Sequence, residues 1–375
     1  MDKLFFFALF FTLFLSGCSL KVANASDKAV NQPISPTEMK RGYSKVSPDY
    51  KTIPTFKPKA TIEISPITFE STRVTFTTIE RRNDVSEVQY HIWRNADGRD
   101  GERTFSSIQK ENDFSYVFDT KEFLDQRGEY QIEAYGVYED GTQELLSKSS
   151  FTLQQHVPIL MYHAIDDYNG DGIKELFVTP ANFEAQMRYL KENGYTLLTF
   201  EHWDEVNKVD KPILVTFDDG MKNNLNAFRI LQGLKDDHFQ PAATEYMIAG
   251  NIGNDSSLST EDLQEMVHSD IFSIQSHTMS HADLPKITNF EEELKTSKEK
   301  LEQITGKPVI AIAYPFGHFN ERVVAETKKY YTFATTTKPG QFIERDQQDE
   351  LLLMHRVRIS YSTTINQFAA LIASR

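Results

Sequence analysis

The chain has 375 residues, 39% of them hydrophobic and 25% charged, the balance of a folded protein with room for two domains. Its formal net charge of −14 and the lack of any Lys/Arg cluster exclude a nucleic-acid partner, which would select basic stripes that release counterions. Neutral glycans remain compatible with that charge.

At the front, Lys3 precedes an apolar run from Leu4 to Leu15, the length of a signal-peptide core and short for a bilayer span. The run ends in Leu15-Ser16-Gly17-Cys18, which resembles the lipobox of bacterial lipoproteins. Residues 1–18 are therefore expected to be an export signal with its lipidation site. Cys18 is the chain's only cysteine, so no internal disulfide can form, and attachment of lipid for membrane anchoring accounts for it. An uncleaved signal anchor is the alternative, and either reading places the remainder outside the cytoplasm. Residues 19–59, rich in Ser, Pro, Asn and Lys without apolar periodicity, read as a disordered tether.

From residue 60 to 154 the pattern changes. Arg73 to Thr77, Val88 to Trp93, Tyr116 to Phe118 and Tyr130 to Tyr135 alternate apolar with polar residues, the period of half-buried strands. Turn signals such as Ala96-Asp97-Gly98 and Glu139-Asp140-Gly141 separate them at short spacing, predicting a small immunoglobulin-like β-sandwich. Through Tyr90-His91-Ile92-Trp93, Gly128-Glu129-Tyr130 and Tyr135-Gly136-Val137 this segment resembles the Bsp-like repeats of streptococcal surface proteins. The alternation places Trp93 in the core, with a sugar-stacking platform as the rival reading.

Residues 155–375 switch to short apolar runs alternating with helical patterns, the beat of βα units. Thr179-Pro180 caps a helix that Gly194 ends, and strands are expected at Thr196 to Phe200, Pro212 to Phe217, Ala242 to Ile248, Ile271 to Ser276, Val309 to Tyr314 and Thr332 to Thr336. Helices are expected at Asn224 to Leu234, Thr260 to Val267, Asn289 to Ile304 and Glu321 to Lys329. The count predicts a distorted (β/α)7–8 barrel following the sandwich.

Working residues in such barrels sit where strands end. Asp218-Asp219-Gly220 follows the strand at Ile213 to Val215, and on extended backbone the two carboxylates point apart, one free to hold a cation and the other to address its water. Ser276-His277-Thr278-Met279-Ser280-His281 follows another strand, with imidazoles four apart that would share a helix face. Two neutral imidazoles and one carboxylate leave a zinc ion an open position for water. Tyr314-Pro315-Phe316-Gly317 ends a third strand, where the Phe316 N–H can face an oxyanion. His163 ends a fourth, at Pro158 to Tyr162, in place to protonate a leaving amine. Each segment alone fits a bland alternative: a loop-closing Asp pair, surface helix neighbours, a plain β-turn, a packed histidine.

Together and in this order, the segments resemble the polysaccharide deacetylase (NodB-homology, carbohydrate esterase family 4) family over residues 156 to 375. Met161-Tyr162-His163 is most similar to the branch that deacetylates poly-N-acetylglucosamine. The resemblance implies removal of N-acetyl groups from N-acetylglucosamine units of a cell-surface polysaccharide, with Asp218 as general base, His163 as general acid, Asp219, His277 and His281 as ligands of a divalent metal, most readily Zn2+, and the Phe316 amide as oxyanion donor. O-deacetylation of a glycan such as xylan and a silent glycan-binding surface protein are the rival functions. A monomer is expected.

Two departures stand out. The wider family carries an arginine shortly before its Pro-Tyr-Gly turn, where this chain has aliphatic Ile310 to Ala313; Arg356, or alternatively Arg358, can supply the charge that orients Asp218. His355 is a rival to His163 as the acid. Asp167-Tyr168-Asn169-Gly170-Asp171-Gly172 copies half a calcium loop, but its twelfth position is Val178, so a solvated acidic insertion is expected.

Overall fold

A computed structural model describes residues 57–79, 84–110 and 113–373. The signal, Cys18 and nearly all of the expected tether lie outside these residues. Among the described residues, no helix is long and apolar enough to cross a membrane.

The first eight strands form two antiparallel sheets. One has the order β1 (Thr61–Ile64), β2 (Arg73–Ile79), β6 (Asp113–Asp119), β5 (Ile108–Lys110); the other has β4 (Arg103–Ser106), β3 (Val85–Arg94), β7 (Gly128–Tyr138), β8 (Gln143–Leu153). Alternate residues of each sheet, including Phe76, Phe118, Tyr90, Ile132 and Phe151, meet in a common apolar core. The buried Tyr90 hydroxyl is satisfied by Thr78 Oγ1 at 2.8 Å and the Phe114 carbonyl at 2.7 Å.

Trp93 departs from its expected place in that core. Val88, Tyr90, Ile92 and Arg94 are buried at alternate positions along the second half of β3, so the two-residue period turns Trp93 to the outer face. There it is half-buried beneath the Arg99 guanidinium, 4.5 Å from its ring centre. The same face holds Glu133 between Arg99 and Lys148.

The remaining strands close a parallel barrel. The ring runs β9 (Ile159–Tyr162), β13 (Pro212–Phe217), β14 (Ala243–Met247), β15 (Phe272–Ser276), β16 (Ala311–Ala313), β17 (Phe333–Pro339), β18 (Met354–Arg358) and back to β9, seven strands in all. β12 (Thr196–Leu198) pairs with the first half of β13, and two-residue strands β10 (Ala164–Ile165) and β11 (Phe177–Val178) pair beside the ring.

Helices α1 (Pro180–Glu192), α2 (Leu225–Leu234), α3 (Thr260–His268), α4 (Ser297–Thr305), α5 (Glu321–Thr327) and α6 (Ile365–Ile372) surround it. The Thr179 hydroxyl caps α1 by accepting from Asn182 N–H, as its sequence predicts. Leu160, Val215 and Phe217 face the helices, whereas Ile159, Leu214 and Tyr246 join the second apolar layer with Phe200 and Trp203.

The sandwich is fixed to the barrel where the strands begin. Buried Arg94 donates to Asp97 and, at 2.9 Å, to Asp210, two residues ahead of β13. Glu129 N–H donates to the Asn207 carbonyl at 2.6 Å, and Gln155 reaches the Val206 and Val209 carbonyls. The opposite end, where strands finish, is left open.

Candidate active site

Thr216 and Asp218 are buried at the end of β13. After them the backbone turns left-handed at Asp219 (φ 78°) and Gly220 (φ 69°), which swings the two carboxylates into different directions. Glycine is required at 220: an added Cβ would lie 2.0 Å from Met247 Sδ. The turn is held from behind by buried Glu245, whose Oε1 accepts from Gly220 N–H and Asn224 Nδ2, each at 3.1 Å. Burial pushes the Glu245 carboxyl well above the ordinary range. Its signal in the sequence was a lone carboxylate within an otherwise uncharged strand, and sequence reasoning missed it.

Arg356 of β18 reaches across the barrel interior to Asp218. Nη1 donates to Oδ1 at 2.7 Å and Nη2 to Oδ2 at 2.8 Å, while Nε is taken by the Thr336 carbonyl at 2.9 Å. Burial by itself would raise the Asp218 pKa, but the guanidinium overrides it and holds the carboxyl well below the usual range. Arg358, the rival, is exposed and two residues further along the strand.

His163, just past β9, presents Nε2 to Asp218 Oδ2 at 4.0 Å. Burial pulls its pKa below that of free histidine, and Arg356 and Arg358 add to this against the opposing pull of Asp218. His355 lies beside Arg356 on β18 and so points to the other side of the strand, where it lines a small cavity with Lys338, Arg345 and Glu350.

The His277–His281 pair is corrected in one respect: these residues do not form a helix. His277 follows β15 in a loop whose Thr278 (φ 68°) and His281 (φ 57°) are left-handed, and that backbone brings the rings to 4.8 Å between centres. His277 Nε2 and His281 Nε2 lie 3.5 and 3.6 Å from Asp219 Oδ1. Among the described residues these three form the one group of His, Cys and acidic donors spaced to hold a metal.

The group fits a tetrahedral divalent ion. Ligand atoms about 2.0–2.1 Å from a common centre lie about 3.4 Å apart, close to the separations from Asp219. His277 Nδ1 stands 2.8 Å from the Ala313 carbonyl, which fixes the tautomer and frees Nε2 as a ligand. Burial lowers the pKa of both imidazoles, keeping them neutral, and raises that of Asp219 beside the Asp218 charge. A cation relieves that repulsion.

Phe316 sits in the turn Pro315–Gly317 after β16, itself left-handed at φ 60°. The Gly317 and His318 N–H groups donate to the Tyr314 and Pro315 carbonyls, leaving the Phe316 amide as the turn's remaining N–H. Its exposed ring lies 4.5 Å, centre to centre, from His281. Beside the cluster opens a cleft of about 820 Å³ lined by Asp166, Phe177, Met221 and Asn251 together with Asp219 and His281. The loop from Asp167 to Gly172 is largely exposed, with Asn169 Oδ1 accepting from Asp171 N–H, an Asx turn in a solvated insertion.

A closed seven-stranded parallel barrel with an Asp-Asp, His-His cluster at its C-terminal mouth defines a class of hydrolase. The sequence pattern of the polysaccharide deacetylase family matches residues 205–333, and the chain belongs to that family. It is 35% identical over 229 residues to the Bacillus subtilis protein YxkH, covering 58% of this chain and 76% of that one. A solved polysaccharide deacetylase from Bacillus cereus is 63% identical, superposes with a TM-score of 0.83, and covers 84% of this chain and 100% of its own. More distant is the poly-β-1,6-N-acetyl-D-glucosamine N-deacetylase of Staphylococcus aureus strain MRSA252, 26% identical over 178 residues, 42% of this chain and 59% of that protein.

Proposed function

We propose that this deacetylase removes N-acetyl groups from N-acetylglucosamine units of a cell-surface polysaccharide, using a divalent metal, zinc by preference, held by Asp219, His277 and His281. The observation that carries the reading is the placement of those three donors beside an Asp218 that Arg356 holds ionised. When bound, the metal lowers the pKa of a coordinated water and polarises the acetamide carbonyl.

Asp218 takes a proton from the attacking water. Arg356 uses one lone pair of each Asp218 oxygen, so the carboxylate keeps others to receive it. Arg356 lowers the basicity of Asp218, and a metal held by the adjacent Asp219 with His277 and His281 would supply the acidity that such a base needs in its water. The Phe316 N–H donates to the oxygen that becomes negative as the carbonyl carbon turns tetrahedral. His163 protonates the departing sugar nitrogen as the C–N bond breaks, releasing acetate and a glucosamine unit. Burial favours its neutral imidazole in the free protein, and because it stands 4.0 Å from Asp218, beyond direct hydrogen-bond reach, the proton taken from the attacking water passes to it through one bridging solvent molecule.

The similarity to the staphylococcal enzyme supports the substrate assignment, and the cleft beside the ligand cluster, lined by apolar Phe177, Met221 and Ile248 together with Asn223 and Asn251, suits a sugar chain. The test is acetate release from β-1,6- and β-1,4-linked N-acetylglucosamine oligomers and from acetylxylan. Release from the N-acetylated oligomers that vanishes in Asp218→Asn and His281→Ala supports the reading; release from acetylxylan alone overturns its substrate, and activity surviving both changes overturns its mechanism.

We further propose that lipid on Cys18 anchors the chain outside the cytoplasm, with residues 19–59 as tether and residues 60–154 as an immunoglobulin-like, Bsp-like spacer ahead of the catalytic residues 155–375. Labelling with a fatty-acid analogue in a bacterial host tests the anchor. Equal labelling of the Cys18→Ala chain would rule it out.

A further inference from the structure

The loop that carries both histidine ligands has five consecutive backbone amides, and each has an acceptor. His277 N–H donates to the Met247 carbonyl at 2.9 Å, Thr278 N–H to Ser276 Oγ at 3.1 Å and His281 N–H to Thr278 Oγ1 at 3.0 Å. The two between them, Met279 and Ser280, both donate to one oxygen of Glu293, at 3.0 and 2.9 Å. The Ser280 hydroxyl donates to the other oxygen. Glu293 is buried, a rare setting for a glutamate without a purpose-built set of donors.

Its own backbone is unusual. Glu291–Thr296 is a π-helical segment running directly into α4, and such segments concentrate at functional sites. The carbonyls displaced by the wider turn are taken up by hydroxyls: Ser297 Oγ donates to Glu293 O at 2.6 Å, and Tyr331 Oη donates to Leu294 O at 2.6 Å. The segment is thus built to hold its shape, and Glu293 projects from it into the ligand loop.

We infer that Glu293 is a positioning residue for the metal: by gathering the Met279 and Ser280 amides onto one carboxylate it fixes the left-handed excursion between Thr278 and His281, and so the place of His281 Nε2 relative to His277 and Asp219. Resting on the metal reading above, this adds to it a residue that touches neither ion nor substrate. Without Glu293 two amides lose their acceptor, and His281, whose side chain is partly exposed, loses its fixed place first.

The experiment is zinc titration of the metal-free full chain by calorimetry, with the visible absorption of the cobalt-substituted protein as a record of ligand geometry, for wild type, Glu293→Ala, Glu293→Gln and His281→Ala. Glu293→Ala is expected to weaken zinc binding by about 10–100-fold, the range for groups that orient metal ligands, and to change the cobalt bands. Glu293→Gln is expected to stay within a few-fold of wild type with the same bands, because its amide oxygen can accept both N–H groups while its NH2 faces Ser280 Oγ. Unchanged affinity and bands in a folded Glu293→Ala chain, whatever its melting temperature, overturn the inference. If Glu293→Ala does not fold, Glu293→Gln and Ser280→Ala decide it: loss of affinity in the former equal to that of His281→Ala overturns it, and a partial loss in the latter upholds it. Failure of wild type to bind zinc, or His281→Ala binding as wild type does, overturns the metal reading instead.

Discussion

Arg356 meets Asp218 through both carboxylate oxygens, at 2.7 and 2.8 Å, across 138 residues of sequence. Both partners are buried, so neither charge has water to fall back on. Arg356→Ala is expected to cost about 3–5 kcal/mol of stability, the penalty of a stranded buried charge, measured by urea unfolding. Arg356→Lys keeps the charge but loses the fork, and its acetate release is expected to fall about a hundredfold, the cost of misplacing a catalytic group by about 1 Å. A lysine variant as active as wild type would show that orientation of Asp218 does not matter.

His163 and His355 can be told apart directly. His163→Ala is expected to lower kcat on N-acetylated oligomers by about 10²–10⁴-fold, the usual contribution of a positioned acid, with a smaller loss on an aryl acetate whose leaving group needs no proton. His355→Ala, facing away from the cluster, is expected to leave both rates near wild type. The reverse pattern would transfer the role.

Removing the metal should silence the protein reversibly. Dialysis against a chelator is expected to abolish acetate release, with zinc or cobalt restoring it. His277→Ala should raise the zinc dissociation constant by more than the about 10–100-fold typical of losing an orienting partner, as read by calorimetry. Full activity in the exhaustively chelated chain would remove the metal from the mechanism.

Gly220 links the two aspartates to the rest of the fold. With φ at 69° and Met247 Sδ 2.0 Å from any added Cβ, Gly220→Ala is expected to lose about 2–4 kcal/mol through backbone strain and overpacking together. Thermal unfolding measures it, and a loss below about 1 kcal/mol would mean that the turn relaxes more readily than its packing implies.

Far from the site, Glu133 supplies a pH dependence. Burial opposes its ionisation, but Lys148 and Arg99 outweigh burial and lower its pKa. A depressed folded-state pKa stabilises above the unfolded carboxyl value of about 4.3, and that contribution disappears as pH falls through the folded one. The melting temperature of wild type should therefore exceed that of Glu133→Gln at pH 7 and approach it in acid. A gap that widens on acidification would contradict the sign.

The barrel was legible because its elements are regular: Thr179-Pro180 capped a helix, Pro212 to Phe217 formed a strand, and the ionisable groups fell just past strand ends. What escaped was whatever tertiary structure overrode locally. Met354-His355-Arg356-Val357-Arg358 carries three cationic or titratable side chains in five residues, yet it is the strand that completes the ring, because Arg356 is buried only by virtue of Asp218. The spacing of His277 and His281 suggested a helix, whereas left-handed residues that no spacing rule encodes make the approach. Glu293 stands in a run of three glutamates that reads as a solvated helix face, and only the π-helical widening shows why one of them turns inward. Trp93 was misplaced by a single step of the two-residue period.

The ring is completed by β18 lying between β17 and β9, so the first and last of its strands share a seam. A ribosome makes Asp218 well before Arg356. Until the chain has grown past Arg358, the ring has a gap between β17 and β9, and Asp218 lacks its guanidinium partner. A product cut short before Met354 should therefore be both soft to proteases and inert.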